Sequence, residues 1–234
     1  MNSINIGILG GMGPRATVVF EDRLISSFKG SDQLLPRIIS VNNSQIPDRS
    51  DFVRGLTNDP IDELVYSANI LKSANVDVVC MPCNTAHNSK IMARLMAIAP
   101  LPIIDMPAAC LIQAESKNIQ KLLILGTVGT VQSKIFDSRS VDIECVYPSV
   151  HDQKLVTNII YGIKNGDQIS KNQTEGLKKI IKASDTDAVV LACTELSLVP
   201  KRHLGGLTVI DSMDVLVKQC ITICKDLSSK RKIA

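Results

Sequence analysis

The sequence has no tryptophan and only four phenylalanines and three tyrosines, so it offers little aromatic surface on which nucleic-acid bases could stack. Its formal net charge of +3 is too small to indicate binding to nucleic acid. No stretch approaches the roughly 18 uninterrupted apolar residues of a membrane span, and the first residues lack the basic start of a signal peptide. We therefore expect a cytoplasmic protein that binds neither nucleic acid nor membrane.

The seven cysteines are an odd number, and several of them lie inside apolar runs. In a reducing compartment such residues are more often buried or reactive thiols than parts of a disulfide framework. Zinc would need further ligands, because none of the three histidines stands at ligand spacing from a second cysteine pair. The sequence predicts no metal site.

Short apolar runs alternate with amphipathic stretches, which is the pattern of parallel strands joined by crossover helices. The most distinct helix is predicted over residues 60–74, with Asp59 as its N-cap and Pro60 in its first position. Its apolar residues follow the i, i+3, i+4, i+7 spacing of one buried stripe. The predicted strands are residues 4–9, 36–41, 76–81, 102–104, 121–125, 141–146, 188–192 and 208–210.

Three landmarks occur twice in the same order: a strand entering a glycine turn, a strand ending in cysteine, and an Ile-Asp strand. They read IGILGGMG and LLILGTVG (residues 6–13 and 122–129), DVVCMPC and DAVVLAC (77–83 and 187–193), and LPIIDM and LTVIDS (101–106 and 207–212). The displacements are 116, 110 and 106 residues. A repeat of this kind predicts a duplicated α/β unit.

The predicted fold is α/β with two pseudo-symmetric lobes, each a parallel sheet flanked by helices, and an active site in the cleft between them. We assign residues 1–104 plus 211–234 to the first lobe and residues 105–210 to the second. The two lobes are expected to pack closely, because no linker rich in Gly, Ser or Pro separates them.

Cys83 and Cys193 each end a predicted strand and precede a predicted helix, so both fall on the edge where α/β sheets bind ligands. The positive end of a helix dipole would lower the pKa of each thiol. Two thiols across a cleft can remove a proton from one face of a carbon and return one to the other. The pair therefore indicates racemisation or epimerisation at a C–H beside a carboxylate, by a scheme that needs no cofactor.

The stretches GILGGMGPRAT, NNSQIPDR, MPCNTAH, GTVGTVQS, YGIKNG and LACTEL, in this order, closely resemble the aspartate/glutamate racemase family, and its aspartate racemase branch in particular. The resemblance runs from residue 4 to about residue 215. It implies cofactor-independent racemisation of an amino acid, aspartate or glutamate, by two cysteines between pseudo-symmetric lobes, in a homodimer.

Carried onto this chain, the resemblance makes Cys83 and Cys193 the acid/base pair. It assigns Asn84, Thr85 and Thr194 to the α-carboxylate and amine of the substrate, and backbone contacts to Met12. It assigns the side-chain carboxylate to Arg49 and Lys164, and a cation suits that position because a dicarboxylate needs a second anion partner. Two departures from the family pattern are Arg15, a charge near the expected mouth, and Gly126.

Two motifs have other interpretations. Cys80 and Cys83 match the C-x-x-C redox motif, but the repeat pairs Cys80 with Val190 and so predicts an interior strand position. Residues 11–16 match the G-x-G-x-x-A dinucleotide fingerprint. The next strand, however, ends without the acidic residue that would bind a ribose, and a glycine turn that binds a small carboxylate explains the same residues.

Four further side chains have open roles. His87 either tunes the Cys83 thiol or lies on a helix surface. Glu195 either orients the substrate amine or caps the following helix. Cys220 and Cys224 share one helix face and are predicted to pack in the core. The competing functions are a glutamate or broad-specificity racemase, a hydantoin racemase, a diacid isomerase or decarboxylase, a nicotinamide-dependent oxidoreductase, and a non-catalytic amino-acid sensor.

Overall fold

The computed structural model describes residues 4–201 and 204–233, and the strands in them form two parallel sheets. The first sheet contains β1 (Asn5–Gly10), β2 (Arg37–Asn42) and β3 (Val78–Cys80). The second contains β4 (Lys121–Gly126), β5 (Glu144–Val146), β6 (Ala188–Ala192) and β7 (Thr208–Asp211). The strand orders are β2-β1-β3 and β5-β4-β6-β7, with every pairing parallel.

Helices cover both sheets. They are α1 (Pro14–Ser26), α2 (Arg49–Val53), α3 (Ile61–Ser73), α4 (Ser89–Ile98), α5 (Met106–Glu115), α6 (Val128–Gln132), α7 (Val150–Asn165), α8 (Lys171–Ala183) and α9 (Ser212–Ile233). Short 3-10 helices occur at Asp32–Leu34, Thr85–His87 and Leu196–Leu198. The predicted class, an α/β fold of two parallel sheets flanked by helices, is confirmed. No helix in the described ranges combines the length and apolar character needed to cross a membrane.

The two sheets repeat one plan. β1 corresponds to β4, β2 to β5 and β3 to β6, and the last landmark of each half lies beside the Cys strand. In the second half this landmark is β7, whereas in the first half it is a single parallel bridge between Val79 and Ile103. The strand predicted at residues 102–104 is therefore wrong as a strand, because Pro102 has no N–H with which to extend the ladder.

Three other predicted elements differ at their ends. β3 and β5 are shorter than predicted. Val141, the first residue of the strand predicted at residues 141–146, is 88% exposed and precedes β5. α3 begins one residue later than expected, with Pro60 in the N-cap position. Asp59 still caps this end, because its carboxylate accepts the N–H of Ile61 at 3.0 Å.

The last helix packs against the first sheet. Met213, Leu216 and Cys220 on α9 share one buried cluster with Ile6 and Ile8 of β1. Cys224 belongs to the same cluster, so both helix cysteines lie in the core as predicted. The lobe boundaries stay a prediction, and residues 1–3 and 234, which it gives to the first lobe, lie outside the described residues.

Candidate active site

The two cysteines of the repeat lie at the carboxyl ends of equivalent strands. Cys193 directly follows β6. Cys83 follows β3 after Met81 and Pro82, and its N–H donates to the carbonyl of Met81 at 2.8 Å. Each cysteine is 7% exposed, and both line one cavity. A thiol from each half of the molecule therefore borders the same space, at the sheet edges where α/β proteins bind ligands.

This cavity, which we call the thiol cavity, is bordered by all eight residues that the sequence predicted for catalysis and substrate binding. Its volume is about 10 Å³, roughly the space of one water molecule. The molecule is therefore closed, and a larger ligand enters only when the surrounding loops or lobes move. The lining consists of Met12, Asp48, Arg49, Ser50, Cys83, Asn84, Thr85, Thr127, Lys164, Ala192, Cys193, Thr194 and Glu195.

A wider space adjoins the thiol cavity beside the first glycine turn. Its volume is about 330 Å³, and it shares five lining residues with the thiol cavity: Met12, Asp48, Arg49, Lys164 and Glu195. Arg15 borders this space, in agreement with the charge predicted near the mouth. The shared lining places the wider space directly beside the thiol cavity.

The glycine turn is shaped by close contacts. Gly11 has a φ of +97°, and a Cβ there would lie 2.1 Å from the carbonyl oxygen of Asn43. A Cβ on Gly13 would lie 2.6 Å from Oε1 of Glu195. The positive φ and the nearby backbone require glycine at the first position, whereas a side chain at the second would have to displace the Glu195 carboxylate. The turn thus brings the first half of the chain against the residue two positions after Cys193.

Arg49 is 5% exposed, and its guanidinium faces backbone carbonyls. Nη2 donates to the carbonyl of Met12 at 2.8 Å, and Nη1 donates to the carbonyls of Ile46 and Pro47 at 3.1 and 2.9 Å. Its Nε is buried without a hydrogen-bond partner in the described structure. A buried cationic donor that lacks an acceptor favours an anionic ligand.

Lys164 on α7 pairs with Asp48, with 3.1 Å between Nζ and Oδ2, and its Nζ also lies 4.8 Å from the centre of the Tyr161 ring. Burial disfavours the ammonium, but the charge of Cys193 when ionised, together with Glu195 and Asp48, raises the pKa of Lys164 above its ordinary value. Burial alone would raise the pKa of Asp48, yet Lys164 and Arg49 lower it. The pair is therefore charged at neutral pH and joins the loop before α2 to the second half of the molecule.

Asn84 and Thr85 make polar contacts between the halves. Asn84 donates through Nδ2 to Oγ of Ser212 at 3.0 Å, while its Oδ1 is buried without a partner among the described residues. The hydroxyl of Thr85 lies 3.0 Å from that of Thr127 and 2.8 Å from that of Thr130. Asn84 thus keeps an unpaired acceptor beside the thiol cavity, whereas the hydroxyl of Thr85 is already engaged.

Cys193 has a carboxylate partner. Its Sγ donates to Oε2 of Glu195 at 2.9 Å, and the hydroxyl of Thr194 lies 3.4 Å from the same oxygen. Burial raises the pKa of the Cys193 thiol well above its ordinary value, and the charge of Glu195 raises it further, while Lys164 acts in the opposite direction. The lowered pKa predicted for this thiol is wrong.

The reason lies in the helix that follows each cysteine. Thr85–His87 and Leu196–Leu198 are single 3-10 turns, and so short a helix sums little dipole at its N-terminus. Desolvation and the neighbouring carboxylate therefore decide the protonation of Cys193.

Five lining residues were not among the eight predicted site residues: Asp48, Ser50, Thr127, Ala192 and Glu195, of which only Glu195 had been considered as a contact to the substrate amine. The repeat contained a signal for two of them. Thr127 lies 116 residues after Gly11, and Glu195 lies 110 residues after Thr85. Their counterparts were in predicted site segments, so carrying the site across the repeat would have found both. For Asp48 the only signal was its position beside Arg49.

The structure decides the role of His87 against a surface position. The ring is fully buried, and Nδ1 donates to the carbonyl of Cys83 at 2.9 Å. The contact is to the backbone and not to the thiol. Glu195, likewise, forms no side-chain cap on the 3-10 helix that follows it. Cys80 is buried within β3 and lies in the core cluster, as the repeat predicted.

The whole chain was compared with known proteins. The Asp/Glu/hydantoin racemase family matches residues 9–220. The broad-specificity amino-acid racemase of Bacillus subtilis is 26% identical over 227 residues, which cover 93% of this chain and 96% of that protein. The structure of Picrophilus torridus aspartate racemase has a TM-score of 0.81 at 29% identity, covering 94% of this chain and 93% of that one.

A glutamate racemase from Francisella tularensis, solved in complex with D-glutamate, has a TM-score of 0.70 at 15% identity, covering 97% of this chain and 83% of that one. At this identity the likeness concerns the fold. The family match spans both glycine turns and both Cys strands. The chain belongs to the Asp/Glu/hydantoin racemase family.

Proposed function

We propose that the protein is a cofactor-independent aspartate racemase in which Cys83 and Cys193 form the acid/base pair. Its relatives are amino-acid racemases, so it is an isomerase of this kind. The choice of aspartate and the assignment of the two thiols are our proposal. Both rest on the residues that line the thiol cavity.

One observation carries the proposal. Two residues that line the cavity beside both thiols each carry a buried polar atom without a partner in the described structure: Nε of Arg49 and Oδ1 of Asn84. Buried polar atoms are rarely left unpaired in a folded protein. A free cationic donor and a free acceptor beside two thiols match an amino acid that carries both a carboxylate and an ammonium group.

The proposed reaction uses the thiols in sequence. The thiolate of one cysteine removes the α-proton, and the electron pair left on the α-carbon is stabilised by the adjacent carboxylate. The thiol of the other cysteine then gives its proton to the opposite face, which inverts the centre. Each cysteine ends in the protonation state with which the other began, so the reverse reaction uses the same pair with exchanged roles.

The remaining lining residues hold the substrate in this scheme. Asn84, Thr85 and Thr194 contact the α-carboxylate and ammonium, with backbone groups of Met12. Arg49 and Lys164 bind the side-chain carboxylate. Because Lys164 is paired with Asp48 in the closed structure, the substrate carboxylate has to share or displace that contact. Closure of residues 45–60 over the bound amino acid would exclude water.

Proton NMR in deuterium oxide tests the proposal directly. With L-aspartate and the enzyme, we expect the α-proton signal to decay while D-aspartate appears on a chiral column. Cys83→Ala and Cys193→Ala should each abolish inversion without unfolding the protein. Binding of aspartate without loss of the α-signal would instead identify an amino-acid sensor, and inversion by both single variants would contradict the assigned roles.

A second candidate is a glutamate or broad-specificity racemase, which the Bacillus subtilis relative favours. Side-by-side kcat/KM values for aspartate, glutamate and alanine separate the two. We expect aspartate to lead, because two cations border the small cavity. The homodimer implied by the family resemblance is a further proposal, which light scattering of the purified protein would test.

A further inference from the structure

Two arginines make matching contacts on opposite sides of the cleft. Arg23 donates through Nη1 to Oδ2 of Asp211 at 3.0 Å and through Nη2 to the carbonyl of Ser197 at 2.6 Å. Arg139 donates through Nε to the carboxylate of Asp105 at 2.8 and 2.9 Å, and through Nη2 to the carbonyl of His87 at 2.9 Å. Each arginine thus joins the matched aspartate to the matched carbonyl, while Arg23 also donates to Asp214 at 2.8 Å and Arg139 to the carbonyl of Ile135 at 2.9 Å.

These contacts follow the internal repeat. Arg23 and Arg139 are 116 residues apart, His87 and Ser197 are 110 apart, and the two aspartates are 106 apart. These are the displacements of the glycine turns, the Cys strands and the Ile-Asp strands. The contacted carbonyls also occupy the same place in each half, since each belongs to the fourth residue after the cysteine.

Each arginine is anchored in one lobe and binds the other. Arg23 lies on α1, whose Phe20 and Leu24 pack in the core of the first sheet, but its carbonyl partner follows Cys193. Arg139 comes after Ile135 and Phe136, which pack in the core of the second sheet, but its carbonyl partner follows Cys83. Arg23 and Arg139, each with its aspartate and carbonyl partners, form two contacts that we call the clamps. The clamps therefore cross the cleft in opposite directions.

Further contacts hold the 3-10 turn after each cysteine, one from within the turn after Cys83 and one from the end of β7 to the turn after Cys193. The imidazole of His87 donates to the carbonyl of Cys83 at 2.9 Å. The hydroxyl of Ser197 donates to Oδ1 of Asp211 at 2.6 Å, and the side chain of Asp211 is 1% exposed. A short chain of contacts thus links each arginine to the backbone beside the opposite cysteine.

We propose that Arg23 and Arg139 are reciprocal positioning residues: each fixes, from its own lobe, the turn that carries the catalytic cysteine of the other lobe. That the two cysteines are catalytic rests on the proposed function. This positioning explains how the closed arrangement sets the place of both thiols, because the same guanidinium contacts that join the lobes define where each cysteine turn lies.

The test is site-resolved alkylation. The enzyme without substrate is treated with iodoacetamide, and labelling of each cysteine is followed by peptide mass spectrometry, with half-buried Cys145 as an internal reference. The variants are Arg139→Lys and Arg23→Lys, because lysine keeps the charge but cannot reproduce the planar fork. Arg94→Lys is the matched control, since Arg94 forms an exposed pair with Asp59.

The expected result is a crossed pattern. Arg139→Lys changes the labelling rate of Cys83 several-fold and leaves Cys193 near its original rate, whereas Arg23→Lys does the reverse. The control changes neither. An effect confined to the cysteine of the same lobe, an equal effect on both cysteines, or no effect overturns the proposal.

Asp105→Asn provides a second variant that retains a side chain able to cap α5. It should change the labelling rate of Cys83 in the same way as Arg139→Lys. In racemisation, kcat should fall about 10- to 100-fold with little change in KM, as expected when reacting groups are misplaced. Because the labelling needs no substrate, loss of the crossed pattern in an active enzyme refutes the clamps alone. An inactive wild type refutes the proposed function alone.

Discussion

The two cysteine sites share a backbone plan and differ in the side chain two residues further on. After Cys193 this residue is Glu195, whose carboxylate accepts a hydrogen bond from the thiol. After Cys83 it is Thr85, whose hydroxyl is engaged with two threonines of the other half. No hydrogen bond to the Cys83 thiol occurs among the described residues. A duplicated fold thus carries two chemically different sites.

This difference bears on which of the two cysteines is protonated before the substrate reacts. In the proposed two-base reaction one cysteine starts as a thiolate and the other as a thiol, and the hydrogen bond to Glu195 favours the thiol form of Cys193. The repeat supplies two thiols that line one cavity, and the side chain two residues after each cysteine distinguishes them. The predictions below test where this asymmetry begins and ends.

The largest effect should come from the thiols, at which the two halves are equivalent. Cys83→Ala and Cys193→Ala should each reduce racemisation by at least about 100-fold, because each removes one of the two acid/base groups. Cys145→Ala is the control, and it should retain activity. Thermal denaturation of all three verifies folding, and a strong loss in only one of the two site variants would break the equivalence.

Next in size is the cation that only the second half contributes. Lys164→Gln should raise KM for aspartate about tenfold or more, since a charged hydrogen bond to the side-chain carboxylate is lost. Alanine, which lacks that carboxylate, serves as the comparison substrate. An equal change for aspartate and alanine would mean that Lys164 acts through Asp48 and not on the substrate.

Glu195→Gln should move the titration of Cys193. Burial and the Glu195 charge raise the pKa of this thiol, so removing that charge lowers the pKa, and thiolate forms at lower pH. In a Cys83→Ala background, we expect the alkylation rate of Cys193 to rise at a pH about one unit lower than with Glu195 present. An unchanged or higher onset would show that the carboxylate does not hold the proton.

The smallest effect concerns stability and the buried imidazole of His87, which contacts the backbone of its own cysteine turn. Burial lowers the pKa of His87, and its hydrogen bonds to the carbonyls of Cys83 and Ile104 only partly oppose this. The unfolded chain binds a proton near pH 6.5 while the folded protein does not, so stability is lost as pH falls from about 6.5 to the folded pKa.

His87→Gln should remove this loss, which is at most about 1.4 kcal/mol per pH unit. Urea unfolding between pH 7 and pH 5 measures it. His151→Gln is the control, because the side chain of His151 is 94% exposed. If the wild type and the His87 variant lose stability in parallel, the buried imidazole is not the source.

Much of this arrangement could be predicted from the sequence, because the repeat encodes it. Apolar runs ending in Cys83 and Cys193 predict strand ends at one edge, and the repeated landmarks predict that the two halves share one plan. The prediction fails at residues 102–104, because Pro102 lacks the N–H that would extend the single bridge at Ile103 into a strand. Local patterns predict element types better than their ends.

The protonation of Cys193 could not be predicted from local sequence. It depends on burial and on the direction in which Glu195 points, and both arise from packing against the glycine turn at Gly13. The clamps were also hidden, since nothing near Arg23 or Arg139 indicates a partner in the other half. Only the displacement of 116 residues relates them.

The packing of α9 against β1 has a consequence for biosynthesis. A ribosome releases β1 long before α9, so the apolar surface of Ile6 and Ile8 has α1 but not α9 to cover it while the intervening strands emerge. All strands of the second sheet are available before α9 is complete. We therefore expect the nascent chain to consolidate its second half first, and molecular chaperones to engage the unfinished first half.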